Sequence, residues 1–282
     1  MTGKIRDGLL YVLIYLASLI TAMLLVGITA YVFIKGSGFL RWAFLTSVTS
    51  VTKGIDGIAG NIVNTLYVVI LTLLIVTPIG VGAAIWMNEY AGRNRFVRLV
   101  EFTTQTLAGI PSVIFGLFGM VFFGRTLGLG YSILTGSLTL AMMVLPLITR
   151  NTQEALRAVP ENYRLGAVGM GATKWYMIHT ILLPCAMPGI VTGVLLAVGR
   201  IVGESAALFL TAGSGYLLPD PGGGILHRMM ESGGTLTVQL YLSMSKARYD
   251  VAFGIAAVLL CIVLAINLLT GLCMRKMNRT LR

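Results

Sequence analysis

The sequence predicts an all-α membrane protein of six transmembrane helices with both termini in the cytoplasm, and three observations carry that expectation. Of its 282 residues, 56% are hydrophobic and only 11% are charged, and mean hydropathy is +0.88. A soluble domain of this length cannot hide so much apolar surface, so lipid must be the solvent for most of it. The apolar residues are collected into six runs, each at or beyond the ~20 residues that a helix needs to cross the hydrocarbon core. The basic residues, finally, fall unevenly on the two sides that these runs define, as the positive-inside rule requires.

Each element follows in order. Lys4 and Arg6 precede an uncharged run at residues 9–34. That run is longer than the roughly 7–15 apolar residues of a secretory signal, so it reads as a retained span with its N-terminus inside. Residues 35–56 form a polar, glycine-containing outer connection. The second run, 57–88, carries Pro78, Gly80 and Gly82, residues tolerated in a span where neighbouring helices satisfy the backbone and approach closely. Residues 89–101, with Arg93, Arg95 and Arg98, read as cytoplasmic. The third run, 102–124, is interrupted near its inner end by Gly109-Ile110-Pro111-Ser112. After an outer turn at Arg125, the fourth run, 126–149, returns to a long polar stretch at 150–184. The fifth extends from Cys185 to about Leu210, interrupted by Arg200 and Glu204. A glycine- and proline-rich outer stretch, 211–250, leads to the sixth run, 251–274, and to the terminal Arg275, Lys276, Arg279 and Arg282. Of the 21 Lys and Arg residues, this layout places 13 inside, 7 outside and Arg200 in the membrane.

Several function classes are excluded. The net charge of +11 follows from the positive-inside bias, so nucleic acid is not an expected partner. Cys185, Cys261 and Cys273 stand singly in or beside apolar runs and read as small core residues. His179 and His227 have no companions at ligand spacing, so no metal site is expected, and no cofactor. No GxxxxGK[ST] phosphate loop occurs. The chain is expected to bind no ATP itself and to be no enzyme.

Residues 150–184 are the longest polar break in the chain, yet they hold no catalytic group. Pro160 suits the first turn of a helix, and Gly171 followed by Thr173 reads as a stop and a new N-cap. Two short helices at the membrane surface are expected, the second closed by Pro184. By itself this pattern fits either a solvated amphipathic loop or a docking element.

Gly171, Ala172, Thr173, Ile181, Leu183 and Pro184 resemble the cytoplasmic "EAA" loop of ABC importer permeases, in which EAA is followed four positions later by Gly and, after nine more, by I-x-L-P. Leu165-Gly166-Ala167 occupies the EAA position without its acid; Glu161, one helical turn earlier, is a partial substitute. The resemblance implies a coupling helix seated in a groove of an ATP-binding subunit. Glu161, Leu165, Gly166, Ala167, Gly171, Ala172 and Thr173 would make the contact, and Pro111, Pro160, Ile181, Leu183 and Pro184 would shape the chain.

Four further stretches are similar to the PstA-type permeases of bacterial phosphate ABC importers. These are Pro78-Ile79-Gly80 through Asn88-Glu89-Tyr90-Ala91, Gly109-Ile110-Pro111-Ser112 through Gly119, Leu145-Pro146-Leu147-Ile148-Thr149-Arg150, and Gly199-Arg200-Ile201-Val202-Gly203-Glu204-Ser205-Ala206. This resemblance implies a type I ABC importer permease fold in the bacterial inner membrane. Residues 1–60 would be a first helix and outer connection, and 61–282 the permease domain carrying the coupling loop. Implied partners are a PstC-like second permease, a PstB-like ATPase dimer, a PstS-like phosphate-binding protein, phosphate itself and membrane lipid. A PstC-like role, a permease for molybdate or sulfate, and a stand-alone secondary transporter are the alternatives.

Arg200 and Glu204 are the charges inside the fifth run. On a helix entering the membrane near Cys185, Arg200 lies about 22 Å along, with Glu204 one turn further on the same face. Each would cost roughly 2.5–3.5 kcal/mol at the bilayer centre, so both should face protein or water. They read either as a self-neutralising structural ion pair or as a cation for transiting phosphate with a carboxylate that orients it. The resemblance favours the second, since the matching residues of the phosphate permeases belong to the transport path.

Reporters fused after Arg98, Lys174 and Arg282 are expected in the cytoplasm and those after Lys53, Arg125 and Glu231 outside. An external C-terminus would overturn the six-span layout.

Overall fold

The structure, a computed structural model, describes residues 2–50, 55–92, 94–218 and 224–280. Lys53, Arg93, Arg282 and the 219–223 part of the outer stretch lie outside the described residues, as does the side chain of Cys273. Helix α1, Thr2–Gly36, leads to a 3-10 turn, Ser37–Phe39, then to α2, Trp42–Thr46, and a hairpin of β1, Val48–Ser50, with β2, Ile55–Ile58. The strands pair antiparallel, Val48 opposite Ile58 and Ser50 opposite Ile55. This hairpin is a small departure from an all-α chain. A Cβ on Gly57 would stand 2.2 Å from the Ser47 carbonyl oxygen, so glycine is what lets the backbones approach.

The remaining elements are helical. They are α3, Ala59–Ile85, ending in a π turn, Trp86–Tyr90; α4, Arg95–Ala108; and α5, Ser112–Gly119, ending in a π turn, Met120–Thr126. Then come α6, Ile133–Arg157; α7, Glu161–Gly169; and α8, Lys174–Met177, which passes through a π turn, Ile178–Leu182, into α9, Leu183–Gly203. The chain ends with α10, Ala206–Thr211; α11, Ile225–Met230; α12, Leu236–Ser245; and α13, Tyr249–Thr280.

Among the described residues, five helices are long and apolar enough to cross a membrane, and α4 with α5 makes a sixth span bent by 102°. The third run is therefore not one straight helix. Pro111, at φ −58° and ψ 139°, is the N-cap of α5, where a new helix starts and its missing N–H costs nothing. The bend also draws Arg95 and Arg98, expected in a cytoplasmic loop, into α4.

Helix α6 is the central post. Its Ile133, Leu140, Val144, Ile148 and Leu156 are fully buried. The first four pack with Val68 and Val76 of α3, Ala197 and Ile201 of α9, and Leu208 of α10, while Leu156 enters a second cluster with Ile178 and Leu182. Close crossings depend on small residues. A Cβ on Gly80 of α3 would lie 2.9 Å from Ile148 Cγ2, and one on Gly116 of α5 would lie 2.9 Å from Ala207 Cα. By contrast, α1 leans on α13, where the Tyr31 and Phe253 rings meet edge-on at 5.6 Å, and its other faces are open.

The polar contacts respect the expected sides. Arg157 and Glu101 meet at 2.8 Å, and Arg164 and Glu89 at 3.0 Å, all in segments read as cytoplasmic. Arg248 pairs with Asp56, and Arg228 with Glu231, all in segments read as outer. Six crossings put both termini on the same side.

Four local expectations are corrected. The fourth span begins at Ile133, not at residue 126, because Ser132 Oγ accepts from the Thr135 N–H at 3.1 Å and caps α6 there; α6 then runs on to Arg157, into the stretch read as polar loop. Pro160 is the N-cap of α7 and not a first-turn residue. Pro184 closes nothing: it falls in the first turn of α9, within one helical stretch, Lys174–Gly203. The wider π turn before it makes room for a ring that crowds the carbonyl four residues back. Cys185 and Cys261 are exposed in the single chain, not core.

Gly116→Leu is expected to lower the thermal midpoint of the purified chain in detergent, at an overpacking cost of about 1–3 kcal/mol. Gly27→Leu on the open face of α1, where a Cβ meets nothing within 4 Å, should leave it unchanged. Equal midpoints for the two variants would show that the α5–α10 crossing is not tight.

Candidate coupling surface and the arginine at the end of the fifth span

At the inner end of α6 the chain turns through Ala158 and Val159, and α7 begins. Gly171 sits at φ +76°, a region that side chains with a Cβ avoid. Thr173 then caps α8, its Oγ1 accepting from the Tyr176 N–H at 3.3 Å. The expected stop and restart are both present.

Beneath α7 lies a small apolar core. Ala167 is buried there with Leu156, Val159, Met177, Ile178 and Leu182, and the half-buried Ala172, Ile181 and Leu183 pack against it. Above it the loop presents apolar surface outward: Leu165 is 64% exposed, Met170 82% and Trp175 68%. Apolar groups held this open on a loop mark a contact surface. Glu161, Leu165 and Val168 share one helical stripe and are all exposed. A Cβ on Gly166 or Gly171 would meet nothing within 4 Å, so neither glycine is demanded by packing within the chain.

The residue that fixes this surface was not singled out from the sequence. Arg164 Nη1 donates to Glu161 Oε2 and to the Val159 carbonyl, both at 3.1 Å. Its Nη2 donates to Glu89 Oε1 at 3.0 Å and to the Leu156 carbonyl at 2.9 Å. Glu89, in the π turn that ends α3, has a side chain only 6% exposed and also accepts from Asn88 Nδ2 at 2.7 Å. One guanidinium thus joins α3, the end of α6, and α7. A second cluster lies beside it, where Glu101 of α4 accepts from Arg157 at 2.8 Å and from Gln153 at 3.3 Å. The only local hint was that Glu89 stands at an apolar–polar boundary.

Arg200 occupies the last turn of α9. With Leu196, Gly199 and Gly203 it lies on a stripe left exposed by the chain, and among the described residues it makes no hydrogen bond or ion pair. The expected pairing with Glu204 on one helical face is not found. Helix α9 ends at Gly203, and Glu204 is extended at φ −81° and ψ 125°. Its carboxylate accepts from the Ala207 N–H at 3.1 Å, starting α10, and its carbonyl accepts from Thr237 Oγ1 at 2.8 Å. Glu204 is occupied in closing a break between helices. Among the described residues Arg200 has no neutralising partner, at the far end of the same continuous helix that starts in the exposed loop.

Residues 77–282 match the family described as binding-protein-dependent transport system inner membrane component. The probable ABC transporter permease protein YqgI of Bacillus subtilis (strain 168) is 37% identical over 213 residues, 76% of this chain and 72% of that protein. The phosphate transport system permease protein PstA 1 of Mycobacterium tuberculosis (strain ATCC 25618 / H37Rv) is 32% identical over 217 residues, 74% of this chain and 68% of that protein. Among solved structures, a chain of a bacterial alginate ABC transporter, in complex with alginate pentasaccharide-bound periplasmic protein, superposes with a TM-score of 0.71 at 18% identity, covering 96% of this chain and 95% of its own.

With the native cysteines replaced by serine, Leu165→Cys and Met170→Cys are expected to react with an impermeant maleimide in inside-out vesicles, and Ala167→Cys to resist it. The reverse order of labelling would show that α7 presents its other face.

Proposed function

The chain belongs to the family of binding-protein-dependent transport system inner membrane components, and from that premise we propose that it is the permease subunit of an ATP-driven importer carrying inorganic phosphate into the cytoplasm. It is a multi-pass inner-membrane subunit with the type I ABC importer permease fold, and not an enzyme; ATP hydrolysis belongs to a partner. Residues 61–282 serve as the permease domain, and α1 with the outer connection is an accessory to it.

The observation that supports the reading is Arg200, a guanidinium in the last turn of the apolar helix α9 without a neutralising partner among the described residues. A charge so placed is expensive unless something charged comes to it. A planar fork of N–H donors suits two oxygens of a phosphate at once. The phosphate permeases among the relatives point the same way. Glu204 contributes by ending α9 at Gly203, so that the arginine stands at the edge of a break and not within a packed helix. An acid close by in sequence also keeps the site from holding its anion too tightly.

The cytoplasmic surface of Glu161, Leu165, Gly166, Ala167, Gly171, Ala172 and Thr173 serves as the contact for a PstB-like ATPase dimer. A PstC-like permease completes the pathway, and a PstS-like binding protein delivers phosphate from outside. Closure of the ATPase dimer on ATP moves the loop and opens the path outward; hydrolysis resets it.

Arg200→Gln should assemble with the ATPase yet lower phosphate uptake in proteoliposomes by roughly 10- to 100-fold, the equivalent of one or two charge-assisted hydrogen bonds. In the wild type, excess sulfate or molybdate should not compete. Undiminished uptake by the variant would remove Arg200 from the path, and competition by molybdate would change the anion.

A further inference from the structure

We propose that Arg164 is the positioning residue that makes the coupling helix move as one body with the second and fourth spans, so that displacement of α7 by the ATPase reaches α3 and α6 through a single guanidinium. This rests on the reading of the loop as an ATPase contact.

The argument begins with how little else holds α7. It is nine residues long, too short to be stable alone, and Ala167 is its one buried residue. An alanine offers little apolar area, so polar contacts must supply the attachment. Arg164 is 15% exposed and makes four hydrogen bonds, two of them to carboxylates. The other two go to Leu156 and Val159, carbonyls at and just beyond the C-terminal end of α6. There a cation also meets the negative end of the helix dipole.

Glu89 makes the joint obligatory. A carboxylate this buried is costly without a cation, and removing one partner of such a pair leaves the other charge uncompensated. Lysine cannot replace the arginine, since an ammonium lacks the fork that reaches Glu89 and two carbonyls in different directions. The other end of the loop needs no such device. Helix α8 continues through the π turn into α9, so displacement there is carried by the backbone itself. Arg164 therefore brings under the control of the loop the two spans to which it has no such continuous helical connection.

The test uses the full transporter in proteoliposomes, with uptake per ATP hydrolysed as the first readout. Arg164→Lys should lower that ratio severalfold while the complex assembles and hydrolyses ATP. The double variant Arg164→Gln with Glu89→Gln leaves no buried charge unpaired and should assemble. It should lower the ratio at least tenfold. The second readout is the distance between spin labels at Tyr163 on α7 and Trp86 at the end of α3. It should be the same in ATP-free and ATP-trapped wild type and should differ between those states in the double variant. A double variant that couples like the wild type overturns the proposal, and so does a wild-type distance that changes between states. If wild-type vesicles hydrolyse ATP but take up no phosphate, the substrate reading fails while the spin-label distance still decides the joint.

Discussion

Peptide groups in the hydrocarbon core have no water to turn to, and the rest of this fold depends on that constraint. Six helices satisfy most of them internally. An interruption can be served by a donor or acceptor from a neighbour, and the structure supplies one at several. Thr237 reaches the Glu204 carbonyl where α9 breaks. Thr135 donates to the Gly130 carbonyl below the turn that precedes α6. Asn61 and Asn64 of α3 donate to the Gly234 and Gly215 carbonyls of the outer stretch. Side chains that look out of place in apolar runs are therefore the means by which the runs are allowed to stop.

The same economy separates two arginines, Arg228 and Arg200. Arg228 is 5% exposed and both of its terminal nitrogens are occupied: Nη1 donates to Glu231, and Nη2 donates to Asn64 and the Leu217 carbonyl. It is a structural cation, and it ties the outer stretch to the first turns of α3. Arg200 has the same chemistry and none of those partners. What separates the two is whether carboxylates and carbonyls stand around the guanidinium, which no property of the isolated residue reports.

That difference also measures what the sequence could say. The spans were legible because their signal is a local run of apolar residues, and the caps at Gly171 and Thr173 because a cap is written within four positions. The attachment of α7 was not, since Arg164 and Glu89 stand 75 residues apart and their meeting depends on how α3 packs on α6. Arg200 and Glu204 misled for a related reason: an i,i+4 spacing implies one face only if the helix continues, and it ends at Gly203. Pro184 misled in the opposite sense, since the π turn before it leaves room for the ring and the helix runs on. The 102° bend lies between these cases. Its proline was visible, but its angle is set by what α4 and α5 each pack against.

The π turn at Ile178–Leu182 has a consequence for azimuth. Such a turn holds one residue more than an α-helical path would, so everything beyond it is rotated by about one residue's 100° about the helix axis. The direction in which α9 presents its arginine is thus set by an extra residue some twenty positions below it, close to the membrane surface. Shortening that turn by one residue would leave every side chain of α9 in place in the sequence and aim each of them at a different neighbour.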